Sequence, residues 1–256
     1  MSEALTISED VKSQVTNEEW SLREVLAAAY RLVANYGWDH MVFTHLSARV
    51  PGPEEHFLLN PFGILFEEVT ASSLVKIDLN GEIVLDNGYQ VNAAGFTIHS
   101  AIHAAREDAM AVMHLHTDSG VAVSCMEEGL LPLNQHAMFV YHDVAYHDWE
   151  GVALNLDERE RLVADIGDKH LMMLRNHGTL AVGGSIASCF MRLYYLERSC
   201  DIQVKAMNGK LSMPNQAAVE MMKETFSNPQ AWEGIGATSW TALRRLADRI
   251  DPSYSN

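Results

Sequence analysis

The spacing of apolar residues changes several times along this chain, and each change marks an element. Leu22, Val25, Leu26, Ala29, Leu32 and Val33 recur at the steps of an amphipathic helix. Thr16 and Glu19 precede them at capping-box spacing, and Gly37 closes the run. Residues 1–15 carry no such period and read as a flexible N-terminal arm. Val42–Val50 and His56–Leu59 read as short strands separated by Pro51, Gly52 and Pro53. Lys76–Leu79 and Glu82–Leu85 flank Asn80-Gly81, the pair that a type I′ hairpin turn prefers.

Further on, Phe96, Ile98, Ala101, Ile102 and Ala105 give a helix over Gly95–Arg106 a broad apolar face, and Ala109–His114 reads as a buried strand. Thr117 is placed to cap the next helix. Strands are expected near Met138–Tyr141, Leu171–Leu174 and Thr179–Val182, with a helix over Leu156–Ile166 between the first two. Ser185–Ala206 predicts a long amphipathic helix, Met213-Pro214 opens another, and Trp240–Ile250 a last one. Alternating helices and strands predict an α/β fold, and the tight hairpin predicts antiparallel pairing. The expectation is one domain over 16–256, a largely antiparallel central sheet flanked by helices and followed by a helical tail.

Composition narrows the function. A chain of 256 residues that is 48% hydrophobic can bury a substantial core. Lys and Arg total 18 against 34 for Asp and Glu, and the formal charge of -16 argues against nucleic acid and anionic membrane surfaces as partners. Cys125, Cys189 and Cys200 form no C-x-x-C pair, which fits a reducing cytoplasm. The acidic N-terminus lacks the basic start and apolar run of a secretory signal, and no apolar run approaches the roughly 20 residues of a membrane span.

Candidate chemistry sits at strand ends. In AVMHLHTDSG, His114 and His116 stand two apart, so in a strand both rings emerge on one side with Cα atoms about 7 Å apart. HLMMLRNHGTL carries His177 near the end of a second apolar run, where Gly178 permits a sharp turn or close backbone approach. Three histidines so placed could hold one divalent ion and leave positions open, as a catalytic ion requires. Among twelve histidines some close pairs also arise by chance, and core or surface histidines bonded to backbone are the competing reading.

These motifs, with PFGILFEEVTASSLVKIDLNGEIV, VNAAGFTIHSAIHAARED and VAYHDWEG, resemble the class II aldolase/adducin family from about Trp20 to Ala206, closest to its adducin-like bacterial branch. The resemblance implies that family's three-layer fold and a divalent ion, zinc first with iron, manganese or cobalt also admitted, on His114, His116 and His177. It further implies a homotetramer with its active site at a subunit interface, and an aldolase-type lyase acting through a metal-stabilised enediolate.

The chain departs from the family's sugar-phosphate aldolases at two places. Their Ser-Ser-Glu segment, whose glutamate is the base, corresponds here to Ala93, Ala94 and Gly95. Their phosphate-binding turns correspond to Thr44-His45-Leu46-Ser47 and Phe62-Gly63. A small, unphosphorylated hydroxy-carbonyl substrate is therefore expected, with His45, Ala94 and Gly95 near it and His45 placed to meet a carboxylate.

His136 falls close to where the aldolases place a catalytic tyrosine reaching a neighbouring subunit, and is the candidate acid or base. Asp118 is a candidate to orient a histidine or to cap a helix. His99 and His103, at i and i+4, read as packing or hydrogen-bonding groups. Two other readings stand beside the lyase. One is a non-haem Fe(II) oxygenase or oxidative decarboxylase on the same triad, and the other an adducin-like, non-catalytic assembly module.

Overall fold

A computed structural model describes residues 10–91, 93–152 and 155–256. The main helices are α1 (Asn17–Asn35), α2 (Ala93–Ala105), α3 (Asp118–Ser124), α4 (Gln135–Val140), α5 (Glu158–Ile166), α6 (Ile186–Ala206), α7 (Gln216–Phe226) and α8 (Pro229–Ile250). The strands are β1 (His45–Arg49), β2 (Phe57–Leu59), β3 (Val75–Ile77), β4 (Ile83–Leu85), β5 (Ala111–Leu115), β6 (Val144–His147), β7 (Leu171–Leu174) and β8 (Gly178–Gly183). They form one sheet in the order β4-β3-β2-β1-β5-β8-β7-β6. Every pairing is antiparallel except β6 with β7. The α/β class and the largely antiparallel sheet follow the sequence reading.

Alternation along the strands builds the three layers. Leu46 and Ala48 of β1, Met113 and Leu115 of β5, and Ala181 of β8 join one core with α1 and α6. Val112, Leu180 and Val182 join another with Ile98 and Ile102 of α2 and Leu162 and Ile166 of α5. Side chains two apart share a face. His45, Ser47 and Arg49 of β1 therefore turn toward the α2 layer, opposite Leu46 and Ala48. Both sets are buried, one polar and one apolar, so register is costly to slip: a shift of one residue would exchange them.

Several local expectations change. Met138–Tyr141 is no strand: Asn134 caps α4 by accepting from the His136 and Ala137 N–H groups, and Ala137 and Val140 bury a helical step. The strand of this region is β6, a little further on. The β3–β4 hairpin is not closed by a type I′ turn, since Gly81 has a positive φ of 87° and Asn80 does not. Gly81 N–H donates to the Asp78 carbonyl, and Asp78 Oδ1 accepts from the Asn80 and Glu82 N–H groups. This is the three-residue form with a glycine bulge.

Thr16 caps α1, but the Glu19 carboxylate turns away from the cap to pair with Arg23 and Lys76, so the capping box is half made. In the expected N-terminal arm, residues 1–9 lie outside the described part, whereas 10–14 are helical and Val11 is buried beside Trp20 and Ala71. The last expected helix begins earlier, at Pro229, behind an Asn228 cap.

Candidate metal centre

His114 is the penultimate residue of β5, one of the sheet's two central strands, and His116 lies just past its end. His177 sits in the turn joining β7 to β8, where Asn176 adopts a left-handed φ of 57°. The next residue must be glycine: a Cβ at position 178 would lie 2.3 Å from the Leu115 carbonyl oxygen. That close approach brings the two strand ends together. The three ring centroids are 4.6, 4.8 and 4.7 Å apart, and their candidate ligand atoms all lie within 4.8 Å of one another.

The hydrogen bonds fix which nitrogens face inward. His114 Nδ1 donates to the Thr179 carbonyl at 2.9 Å, which leaves its Nε2 lone pair pointing at His116 Nε2, 2.8 Å away. His116 Nδ1 lies 3.2 Å from His40 Nδ1, so His40 can accept the proton that a metal-ligating His116 would carry there. Burial is the largest cause holding all three rings neutral. It pushes His116 down to about 3 and His177 to about 4, and holds His114 well below the usual imidazole value. Neutral imidazoles with converging lone pairs fit a divalent cation.

A buried carboxylate ties the same strand ends together. Glu197 of α6 accepts from Thr117 Oγ1 at 2.5 Å and from Thr179 Oγ1. Thr117 follows His116, and Thr179 follows the His177-Gly178 pair. Burial raises the Glu197 carboxyl to about 7.

A cavity of about 210 Å³ opens over the triad, and His40 and His45 line it as well. Its remaining wall is largely apolar, from Phe43, Ile98, Trp149 and Val152, with no lysine or arginine among the described residues. The Trp149 ring meets His177 edge-on at 5.4 Å. On the other side of His116 lies a polar cavity of about 470 Å³, with Asp39, Asp118, Asp201 and Arg198 in its wall.

The other sequence candidates fall in different places. His45 is buried at the cavity, and Gly95 lies directly against it: a Cβ at 95 would be 2.6 Å from His45 Cδ2. Ala94 is in α2, but its side chain lies outside the described part. Asp118 is exposed at the first position of α3; Thr117 makes the cap, and among the described residues no hydrogen bond joins the Asp118 carboxylate to a histidine. His136 lies on α4 with its ring 5.9 Å from Tyr195, and is not among the residues lining the triad's cavity. Sequence reasoning missed His40, Trp149 and Glu197 as parts of the site. Their contacts join segments far apart in the chain, which no local spacing announces.

The match to known proteins agrees with this geometry. Residues 24–204 match the model of the Class II Aldolase and Adducin N-terminal domain. This chain belongs to that family. A Caulobacter vibrioides protein provisionally named an aldolase class 2 protein is 54% identical over 250 residues, 96% of each chain. The crystal structure of an aldolase II superfamily protein from Pseudomonas syringae superposes with a TM-score of 0.91 at 47% identity, covering 96% of this chain and all of that one. L-fuculose 1-phosphate aldolase from Glaciozyma antarctica superposes at 0.81 with 31% identity, covering 93% and 92%. The family accounts for the fold.

Proposed function

We propose that this chain is a metal-dependent lyase of the aldolase type, with one divalent ion, zinc, on His114, His116 and His177. The observation that carries the reading is the convergence of three neutral imidazoles at the floor of a cavity. Class II aldolases use a divalent metal, and the likeness to a fuculose-phosphate aldolase supports the reaction class. When bound, the ion supplies Lewis-acid stabilisation of the negative charge that develops on oxygen as a carbon–carbon bond breaks.

The chain's own residues define the rest. His114 is held in one tautomer by the Thr179 carbonyl, His116 is oriented by His40, and Glu197 steadies both strand ends. The substrate is a small, unphosphorylated hydroxy-carbonyl compound. A phosphate would need cationic or amide donors, and the wall offers apolar side chains instead. Phe43, Trp149 and Val152, exposed at 42%, 50% and 68%, form an apolar rim. In a cytoplasmic homotetramer this rim would meet a second subunit, and His136 would act across that boundary as acid or base.

Metal analysis after purification without chelators, joined to an aldol-cleavage assay over short hydroxy-ketones, tests the reading. About one zinc per chain and cleavage of an unphosphorylated substrate are expected. Bound iron with oxygen uptake in place of cleavage would convert the site to an oxygenase, and a metal-free folded protein would leave only the assembly-module reading.

A further inference from the structure

Behind the triad, four buried side chains of β1 and α2 form a continuous series of hydrogen bonds. His103 Nδ1 lies 2.8 Å from the Ala109 carbonyl, Ser47 Oγ lies 2.7 Å from His103 Nε2 and 2.5 Å from His99 Nδ1, and His99 Nε2 lies 3.0 Å from His45 Nδ1. All four are at most 3% exposed. His45 Nε2, at the end of the series, has no hydrogen-bond partner among the described residues, and His45 lines the cavity.

One anchor sets every direction. A carbonyl oxygen only accepts, so His103 Nδ1 carries a proton, and in a neutral ring His103 Nε2 is then bare. Ser47 Oγ–H must donate to it. Having spent its one proton, Ser47 Oγ accepts from His99 Nδ1–H, which leaves His99 Nε2 bare and able only to accept from His45 Nδ1–H. We infer that this series fixes His45 as a hydrogen-bond acceptor at Nε2, so that the cavity selects a ligand presenting a hydroxyl donor over one presenting a carboxylate. The choice of ligand class rests on the lyase reading above, whereas the tautomer does not.

Two further observations support the assignment. Burial lowers His103 to about 3 and holds His99 well below the imidazole range, so neither ring gains the second proton that would reverse the series. Gly95 leaves the His45 ring its space, since even a methyl group there would collide with it. The carboxylate partner expected for His45 from sequence does not suit this arrangement. A bare nitrogen facing a carboxylate sets lone pair against lone pair.

The test is nitrogen-15 NMR of the histidine rings in the full chain, with the His45 signals assigned by their loss in His45→Gln. A neutral His45 protonated at Nδ1 is expected; protonation at Nε2, or at both nitrogens, overturns the inference. Calorimetry on zinc-loaded protein supplies a second measurement that needs no assignment. Dihydroxyacetone is expected to bind in preference to glyoxylate. Ser47→Ala should shrink that preference by ~10-fold, the worth of roughly one hydrogen bond, and Ser47→Thr, which keeps the hydroxyl, should restore it. An unchanged preference in Ser47→Ala, or tighter binding of glyoxylate by the wild type, overturns the inference. Metal content of the same samples separates the two readings: the expected tautomer without bound metal would sink the lyase reading alone.

Discussion

Two groups of three histidines lie side by side in this molecule and are satisfied in opposite ways. His114, His116 and His177 point their rings at a common centre. His45, His99 and His103 are joined in series, each nitrogen but the last answered by a neighbour of known direction. Burial keeps both groups neutral. What differs is where the lone pairs go: convergent ones call for a cation, while serial ones hand their orientation along to the last ring. Residue type thus says little about role until the partner of each nitrogen is known.

The sharpest way to break the comparison is to remove one member from each group. His177→Ala should lower metal affinity by more than the ~100-fold upper range of outer-shell changes, since it deletes a ligand outright, and abolish cleavage with it. His103→Asn should leave metal content intact. Equal metal loss in both variants, read by mass spectrometry after dialysis, would dissolve the distinction.

Acid is the next largest lever. A ring whose folded pKa is depressed contributes stability that is present above its unfolded value near 6.5 and is lost as pH falls through the folded value. For His45 and His103 the window runs from 6.5 down to about 3. Glu197 has the opposite sign. Raised to about 7, it contributes stability below its unfolded value of 4.5, and that contribution is lost as pH climbs through 7. Each group is worth at most ~1.4 kcal/mol per pH unit inside its window, so between pH 6.5 and 4.5 two or more histidines outweigh one glutamate. Denaturant midpoints of the metal-free protein should therefore fall across that interval, and a rising midpoint would contradict the neutral assignment.

A smaller effect probes what holds the convergent group in place. Glu197→Ala strips the bonds from Thr117 and Thr179, and should weaken metal binding by ~10- to 100-fold while the three ligands remain. Glu197→Gln can still accept from one threonine and should lie between. If the alanine variant binds metal as the wild type does, the carboxylate supports the fold and not the site.

Much of this was legible in the sequence, and the exceptions share a cause. Apolar runs locate β5, β7 and β8, which are buried on both faces, and helical spacing locates α1 and α6 by their apolar stripes. The Met138–Tyr141 segment misleads because four residues cannot separate a buried strand from a short helix, and the deciding feature is the Asn134 side chain at the cap. The three convergent histidines are visible as motifs at strand ends. The serial group is visible only in pieces, His99 and His103 at i and i+4 and His45 and Ser47 at i and i+2. The register of β1 against β5, with His45 opposite His114, is what brings those pieces beside the site. Glu197 carries no local signal, since it meets Thr117 from a distant helix.

The smallest expected effect belongs to a residue that sequence reasoning placed near the chemistry. Asp118 shares its segment with His116 and could have oriented that ring. In the fold, however, His116 Nδ1 faces His40, and the Asp118 carboxylate stands exposed in the first turn of α3, where a negative charge is favoured by the helix dipole. That interaction is worth ~0.3–1 kcal/mol. Asp118→Asn should accordingly cost less than ~1 kcal/mol by denaturant titration and leave metal content and cleavage near wild type, whereas His40→Ala, which removes the actual partner of His116, should lower metal affinity measurably. A collapse of activity in Asp118→Asn with metal retained would move this carboxylate into the catalytic machinery and give the polar cavity beside His116 a share in the reaction.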